Sequence, residues 1–114
     1  MNEKLAIEAL SALAHPTRLG VFRLVVRAGS DGLPAGEIAR IVGVPATTMS
    51  THLAILSRAS VISARRDSRT VYYALNINGT RDLFTYLLED CCGGRPDLCA
   101  PLCLPVGNPS HEPV

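Results

Sequence analysis

The chain has 114 residues, of which 47% are hydrophobic and 18% are charged, so it fits one globular domain rather than a disordered segment. No apolar run approaches the roughly 18 residues that cross a bilayer, and the N-terminus lacks the pattern of a signal peptide. We therefore expect a cytoplasmic protein whose thiols stay reduced. The net charge of +1 does not by itself indicate a nucleic-acid partner.

The first third of the chain predicts two helices. Residues 3 to 13 carry apolar side chains at helical spacing. Pro16 suits the first turn of a second helix, which we expect to run to Ala28. Apolar residues occur on several faces of this second helix, so we expect it to be central and largely buried.

The next segment predicts a helix-turn-helix motif. A short helix over about residues 35 to 42 ends at Gly43. Pro45 is suited to the first position of another helix, which runs to about Arg58. Two helices joined by a turn of a few residues with a glycine are typical of this motif.

The second helix of the motif has an apolar face formed by Met49, Leu53 and Leu56. Small polar side chains let a helix approach a nucleic-acid groove and still form hydrogen bonds. Without its surroundings, the pattern also fits a plain amphipathic helix. The opposite face and one flank carry Thr47, Thr48, Thr51, Ala54 and Arg58.

A β-hairpin is predicted directly after this helix, with strands over residues 62 to 66 and 71 to 75 and a turn over 67 to 70. A helix-turn-helix followed by such a hairpin is a winged helix, whose wing can reach phosphates or the minor groove. The alternative is an ordinary solvated arginine face. Only Asp67 opposes the local positive charge, which comes from Arg58, Arg65, Arg66 and Arg69.

A last helix is predicted over about residues 80 to 90, where leucines and a phenylalanine fall at helical spacing. The first and last helices are the candidates for a homodimer interface, although they could instead complete the monomer core. Residues 104 to 114 contain three prolines and no periodic pattern, so we expect a disordered tail.

All four cysteines lie between Cys91 and Cys103. They could form a disulfide staple, a structural metal site, or a sensor for a species that prefers sulfur. A reducing compartment disfavours the disulfide. The spacing, an adjacent pair followed by Cys99 and Cys103, does not match the C-x2-C pairs that are usual for structural zinc.

Three motifs, in order, resemble the ArsR/SmtB metalloregulatory repressors over about residues 5 to 92. Ala14 to Leu19 resembles the opening of the family's second helix, Ser50 to Leu56 its recognition helix, and Arg66 to Tyr73 its wing. The resemblance implies a mainly α, dimeric winged helix-turn-helix repressor that leaves operator DNA when a metal or metalloid binds. The predicted DNA contacts are Thr47, Thr48, Ser50, Thr51, His52, Arg58, Arg65, Arg66 and Arg69.

Departures from the family pattern reduce the number of places where a ligand could bind. Residues 34 to 40 lack the cysteine pair that many arsenic sensors of the family carry, and residues 80 to 90 contain no histidine for a zinc site. The chain resembles a smaller group whose arsenic cysteines follow the last helix. We therefore predict a DNA-binding and dimerisation domain over residues 1 to 90 and an inducer segment over residues 91 to 103. Ser68 stands where the family's wing turn commonly has glycine.

Trivalent arsenic is soft and is satisfied by three thiolates, which Cys91, Cys92 and Cys99 could supply. Cys103 is a spare, alternative or partner-chain ligand. We expect As(III) as the inducer and no permanently bound cofactor. Antimonite or methylarsenite could bind the same thiols. The alternatives are a soft divalent metal such as cadmium or lead, thiol oxidation, and a winged helix that contacts only proteins. A thiol redox enzyme is a further alternative, but this chain lacks the C-x-x-C motif that is usual in such enzymes.

Overall fold

The fold comes from a computed structural model that describes residues 1–89. This range holds five helices and three short strands, and the strands form one antiparallel sheet whose central strand is the last of the three in the chain. The predicted winged helix-turn-helix is confirmed. The helices are α1 (Glu3–Leu13), α2 (Pro16–Ala28), α3 (Ala35–Val42), α4 (Ala46–Arg58) and α5 (Ile77–Leu88). The strands are β1 (Leu33–Pro34), β2 (Ile62–Asp67) and β3 (Thr70–Leu75).

The last helix begins and ends earlier than the predicted range of 80 to 90. Asn76 is its N-cap, and the side chain of Asn76 accepts a 2.9 Å hydrogen bond from the N–H of Gly79. This cap starts the helix at Ile77, inside the segment expected to be a loop. None of the helices in residues 1–89 is long and apolar enough to span a membrane.

The wing differs from the prediction in its turn. Asp67 pairs with Thr70, so both strands enter the expected four-residue turn and leave Ser68 and Arg69 as its tip. Ser68 has a φ of 60°, which lies in the region that favours glycine. This backbone conformation explains why the wing turn of the family commonly has glycine at this position. Strand β1 was not predicted; its two residues pair with the edge of β3 that faces away from β2.

The second helix is less buried than predicted. Val21 and Val25 are fully buried, but Leu19 and Val26 are 46% and 45% exposed. The exposed pair lies on the side of α2 opposite the buried valines, because the neighbouring elements cover only that buried side. The prediction of a largely buried α2 is therefore wrong for Leu19 and Val26, while Phe22 and Leu24 pack against the core as predicted.

The helices α1 and α5 pack against the body and leave apolar side chains uncovered. Small residues of α1, namely Ala6, Ala9 and Ala12, face the core, and Leu83 of α5 is buried with them. Ile7 and Ile77 are each 57% exposed. We give the name α1–α5 apolar surface to the four other exposed apolar residues of these helices, Leu5, Leu10, Phe84 and Leu87, which are 42% to 54% exposed.

Gly79 places the start of α5 against the turn before β2. A Cβ added at Gly79 would collide with the backbone carbonyl oxygen of Ser60. We expect Gly79→Ala to lower the free energy of unfolding by about 1–3 kcal/mol, since the backbone cannot yield as a side chain would. Gly20→Ala is the matched control: it lies in α2 with open space around it, and should stabilise by up to about 1 kcal/mol. Equal urea midpoints for Gly79→Ala and wild type would contradict the contact.

Candidate nucleic-acid interface

The turn between α3 and α4 presents the N-terminus of α4 to solvent. Gly43 ends α3 with a φ of 84°, and its N–H donates to the carbonyl of Ala39 at 2.8 Å. Pro45 is the N-cap of α4 rather than its first residue, and no side chain caps this end. The first N–H groups of α4 are therefore available to an acceptor such as a phosphate.

The helix α4 has the two faces that the sequence predicted. Met49, Leu53 and Leu56 are buried in the core at 1% exposure or less. The opposite face offers hydroxyl groups that can donate or accept at base edges and phosphates, and Arg58 is its one long side chain. Its exposed residues are Thr47, Thr48, Ser50, Thr51, Ala54 and Arg58.

His52 is only partly exposed and is held by α2. Its Nδ1 lies 3.4 Å from Nη1 of Arg18, whose Nε donates at 2.6 Å to the carbonyl of Ala12. The His52 ring also lies 4.9 Å from the ring of His15, which caps α2 by accepting the N–H of Thr17. Because Nδ1 faces a guanidinium donor, the neutral ring carries its proton on Nε2. The predicted DNA contact at His52 is thus also a link between α4 and the α1–α2 corner.

Burial, and then the charges of His15 and Arg18, hold the pKa of His52 below its ordinary value. The unfolded chain therefore binds this proton more readily, and stability should fall as pH drops below the unfolded value of about 6.5. We expect His52→Gln to flatten this part of the profile of unfolding free energy between pH 7 and pH 5. Urea unfolding at each pH measures the unfolding free energy. If His52→Gln loses stability with falling pH as steeply as wild type does, the proposed linkage to His52 is contradicted.

The three arginines of the wing have different surroundings. Arg66 and Arg69 are exposed, and neither forms an ion pair within residues 1–89. Arg65 stacks on the ring of Tyr72, with Cζ 4.8 Å from the ring centroid. Its Nη2 donates to the carbonyl of Asp31 at 2.9 Å, and its Nη1 lies 3.8 Å from Oδ2 of Asp67.

Arg58 lies apart from the other predicted DNA contacts on α4. It is the last residue of the helix, about 16 Å along the axis from Thr47. It lines a cleft of about 380 Å³ between α1 and α4, together with Ile7, Glu8 and Ile55. The DNA contact at Arg58 stays a prediction, and the structure places this side chain beside α1.

Sequence reasoning missed Arg18 and Tyr72, which orient His52 and Arg65. The hairpin register contained a signal for one of them: if Asp67 pairs with Thr70, Arg65 must lie opposite Tyr72. Cys91, Cys92, Cys99 and Cys103 fall outside the described residues. Within residues 1–89, no group of three or more His, Cys, Asp or Glu side chains could hold a metal ion.

Comparison with known proteins places this geometry in a family. A family model described as a helix-turn-helix domain matches residues 13–63. The regulator YgaV of Escherichia coli is 32% identical over 76% of this chain and 86% of its own length. The transcriptional repressor SdpR of Bacillus subtilis is 34% identical over 76% of this chain and 93% of its own length. The chain belongs to the ArsR-like family of winged helix-turn-helix transcriptional regulators.

Solved structures share the fold of this ArsR-like regulator. A homodimeric winged helix-turn-helix domain from Mycobacterium bovis matches with a TM-score of 0.62 at 24% identity, over 84% of this chain and 83% of that one. A possible transcriptional regulator for arsenical resistance matches with a TM-score of 0.62 at 26% identity, over 70% and 80%. The reduced form of HlyU from Vibrio cholerae matches with a TM-score of 0.58 at 27% identity, over 75% and 90%.

Proposed function

We propose that this ArsR-like regulator is a dimeric repressor that binds operator DNA and releases it when trivalent arsenic binds its C-terminal cysteines. The observation that carries the DNA-binding part is the exposed hydroxyl face of α4, which begins at an uncapped N-terminus. Such a face can read the major groove while the helix terminus meets a phosphate. The basic wing follows at once and can hold the flanking backbone through Arg66 and Arg69.

The α1–α5 apolar surface supports a second copy of the chain as partner. Four apolar side chains that are roughly half exposed on two adjacent helices favour burial against another apolar surface. A two-fold dimer would present two copies of α4 to two half-sites. The homodimeric assembly of the Mycobacterium bovis domain agrees with this arrangement.

The inducer part of the proposal rests on the donor set. Cys91 follows the last residue of α5, Leu88, by three positions, and Cys92 and Cys99 complete three thiols. Three thiolates suit trivalent arsenic, whereas carboxylates and imidazoles suit harder metal ions. The structural neighbour that is a possible regulator for arsenical resistance supports this choice. Cys103 remains a spare or partner-chain ligand in the proposal.

The position of the cysteines suggests how binding is coupled to DNA release. Residues that follow α5 directly can change the end of the helix that carries Phe84 and Leu87 of the α1–α5 apolar surface. A small shift at a dimer interface changes the separation of the two α4 helices. Coupling free energies of about 1–3 kcal/mol change an affinity 5- to 150-fold, which is enough to empty an operator.

Thiol oxidation is the second candidate signal. The similar regulator HlyU from Vibrio cholerae has a solved structure in its reduced form, which supports oxidation state as a candidate variable. In this chain, adjacent and nearby thiols could form a disulfide under oxidising conditions. Peroxide would then release DNA where arsenite does not. A soft divalent metal, bound by all four thiols, would instead give release by cadmium or lead where arsenite and peroxide have no effect.

A charge placed on the α4 face tests the DNA-binding part. Thr51→Glu should lower the affinity for a fragment of the protein's own promoter by about 10- to 100-fold, because the carboxylate would face phosphates and base acceptors. Thr85→Glu, the same change at an exposed position of α5, is the control and should bind as wild type does. Fluorescence anisotropy at several salt concentrations gives both affinities and the number of phosphate contacts. Equal promoter affinities of Thr51→Glu and Thr85→Glu would show that α4 does not contact the DNA.

A further inference from the structure

Arg65 reaches across the whole sheet. It lies on β2, stacks on Tyr72 of the central strand β3, and donates to the carbonyl of Asp31, two residues before β1. Tyr72 in turn lies opposite Pro34 of β1. One side chain therefore connects the outer strand of the wing with the loop that leads out of α2.

Few other interactions hold the β1 edge of the sheet, next to the loop that Arg65 contacts. β1 contains two residues, and one of them, Pro34, has no backbone N–H to donate. The loop before it must also lie close to β3, because a Cβ at Gly32 would come within 2.5 Å of the carbonyl oxygen of Tyr73. A hydrogen bond from outside the backbone ladder is thus well placed to fix the loop against the wing.

We propose that Arg65 is a positioning residue, which fixes the wing to the α2–β1 loop and so sets the angle at which Arg66 and Arg69 meet DNA. The inference rests on the proposed DNA-binding function. Successive side chains of a strand point to opposite faces, so Arg65 and Arg66 cannot serve the same surface. The guanidinium of Arg65 is already committed to a ring, a carbonyl and the Asp67 carboxylate. Under this proposal, the predicted phosphate contact at Arg65 becomes a structural link within the regulator.

The link can be tested in the free protein. Amide hydrogen exchange and chemical shifts of the α2–β1 loop, residues 29 to 32, should change in both Arg65→Gln and Tyr72→Leu. Arg66→Gln, the same change on the other face of β2, should leave the loop as in wild type, and Tyr72→Phe should do so because it keeps the ring. A wild-type loop in Arg65→Gln would overturn the proposal whatever the DNA result.

Operator binding then separates positioning from phosphate contact. A lysine keeps the charge but neither stacks flat on the ring nor forks to the carbonyl, so Arg65→Lys should bind as weakly as Arg65→Gln. We expect each of these variants, and Tyr72→Leu, to lose about 3- to 10-fold in affinity, the scale of one cation–π and hydrogen-bond contact. The double variant Arg65→Gln, Tyr72→Leu should lose little more than either single variant.

The opposite pattern has an equally definite meaning. Rescue by Arg65→Lys together with additive losses in the double variant would show a direct phosphate contact and overturn the positioning role. If wild-type protein shows no salt-dependent binding to its promoter, the proposed DNA-binding function fails instead. In that case the loop measurements still decide whether Arg65 fixes the wing.

Discussion

Arsenite should no longer release operator DNA from a protein that carries Cys91→Ser and Cys92→Ser, while its affinity without arsenite stays as in wild type. A serine hydroxyl does not replace a thiolate as a ligand for a soft centre, so the variant loses two of three donors. In wild type we expect arsenite to weaken operator binding by about 5- to 150-fold, the usual range of such coupling. Anisotropy titrations of labelled promoter DNA, at fixed protein and rising arsenite, measure both proteins.

Single substitutions make this experiment specific. Cys99→Ser should behave like the double variant, because it removes the third donor. Cys103→Ser separates the two roles left to the fourth thiol: a wild-type response makes Cys103 a spare, and a lost response makes it a ligand. If the double variant releases DNA at the same arsenite concentration as wild type, the assignment of Cys91 and Cys92 to the inducer site is wrong.

Phe84→Glu should convert the protein to monomers and weaken operator binding by about 100-fold or more. The substitution places a charge in the α1–α5 apolar surface, where burial against a second copy would leave it unpaired. A monomer must bind each half-site alone and loses the gain from two linked contacts, which is commonly 100- to 10,000-fold. Sedimentation equilibrium gives the mass, and anisotropy gives the affinity.

Val26→Glu supplies the control for this variant. Val26 is 45% exposed on α2, close to the 54% of Phe84, but it lies outside the α1–α5 apolar surface. It should remain dimeric and bind the operator as wild type does. A dimeric Phe84→Glu, or a monomeric Val26→Glu, would move the interface away from α1 and α5.

Most of the fold could be predicted because the ends of its helices depend on the residues found there. Pro16 and Gly43 mark helix ends that depend only on backbone geometry, and the predicted ends agree with α2 and α3. The apolar face of α4 follows from helical periodicity alone, which the buried Met49 and Leu53 confirm. The order of these elements was enough to predict a winged helix.

What could not be predicted depends on tertiary partners. β1 exists only because β3 lies beside it, and a two-residue segment with a proline has no strand signal of its own. Periodicity cannot tell an apolar side chain in the core from one in an interface, so Leu10 and Leu83 looked alike although only Leu83 is buried. Clustered charge likewise suggested one role for the wing arginines, whereas stacking on Tyr72 distinguishes Arg65.

The central claim, a repressor that arsenic removes from DNA, is tested most directly by one titration. Wild-type protein bound to its labelled promoter fragment is titrated with arsenite, antimonite, methylarsenite, cadmium, lead, zinc and peroxide in parallel. We expect salt-dependent binding and release by the trivalent arsenic species, with antimonite alongside them, at concentrations at which zinc and peroxide have no effect. Release by cadmium, lead or peroxide alone, with arsenite inert, would contradict the account.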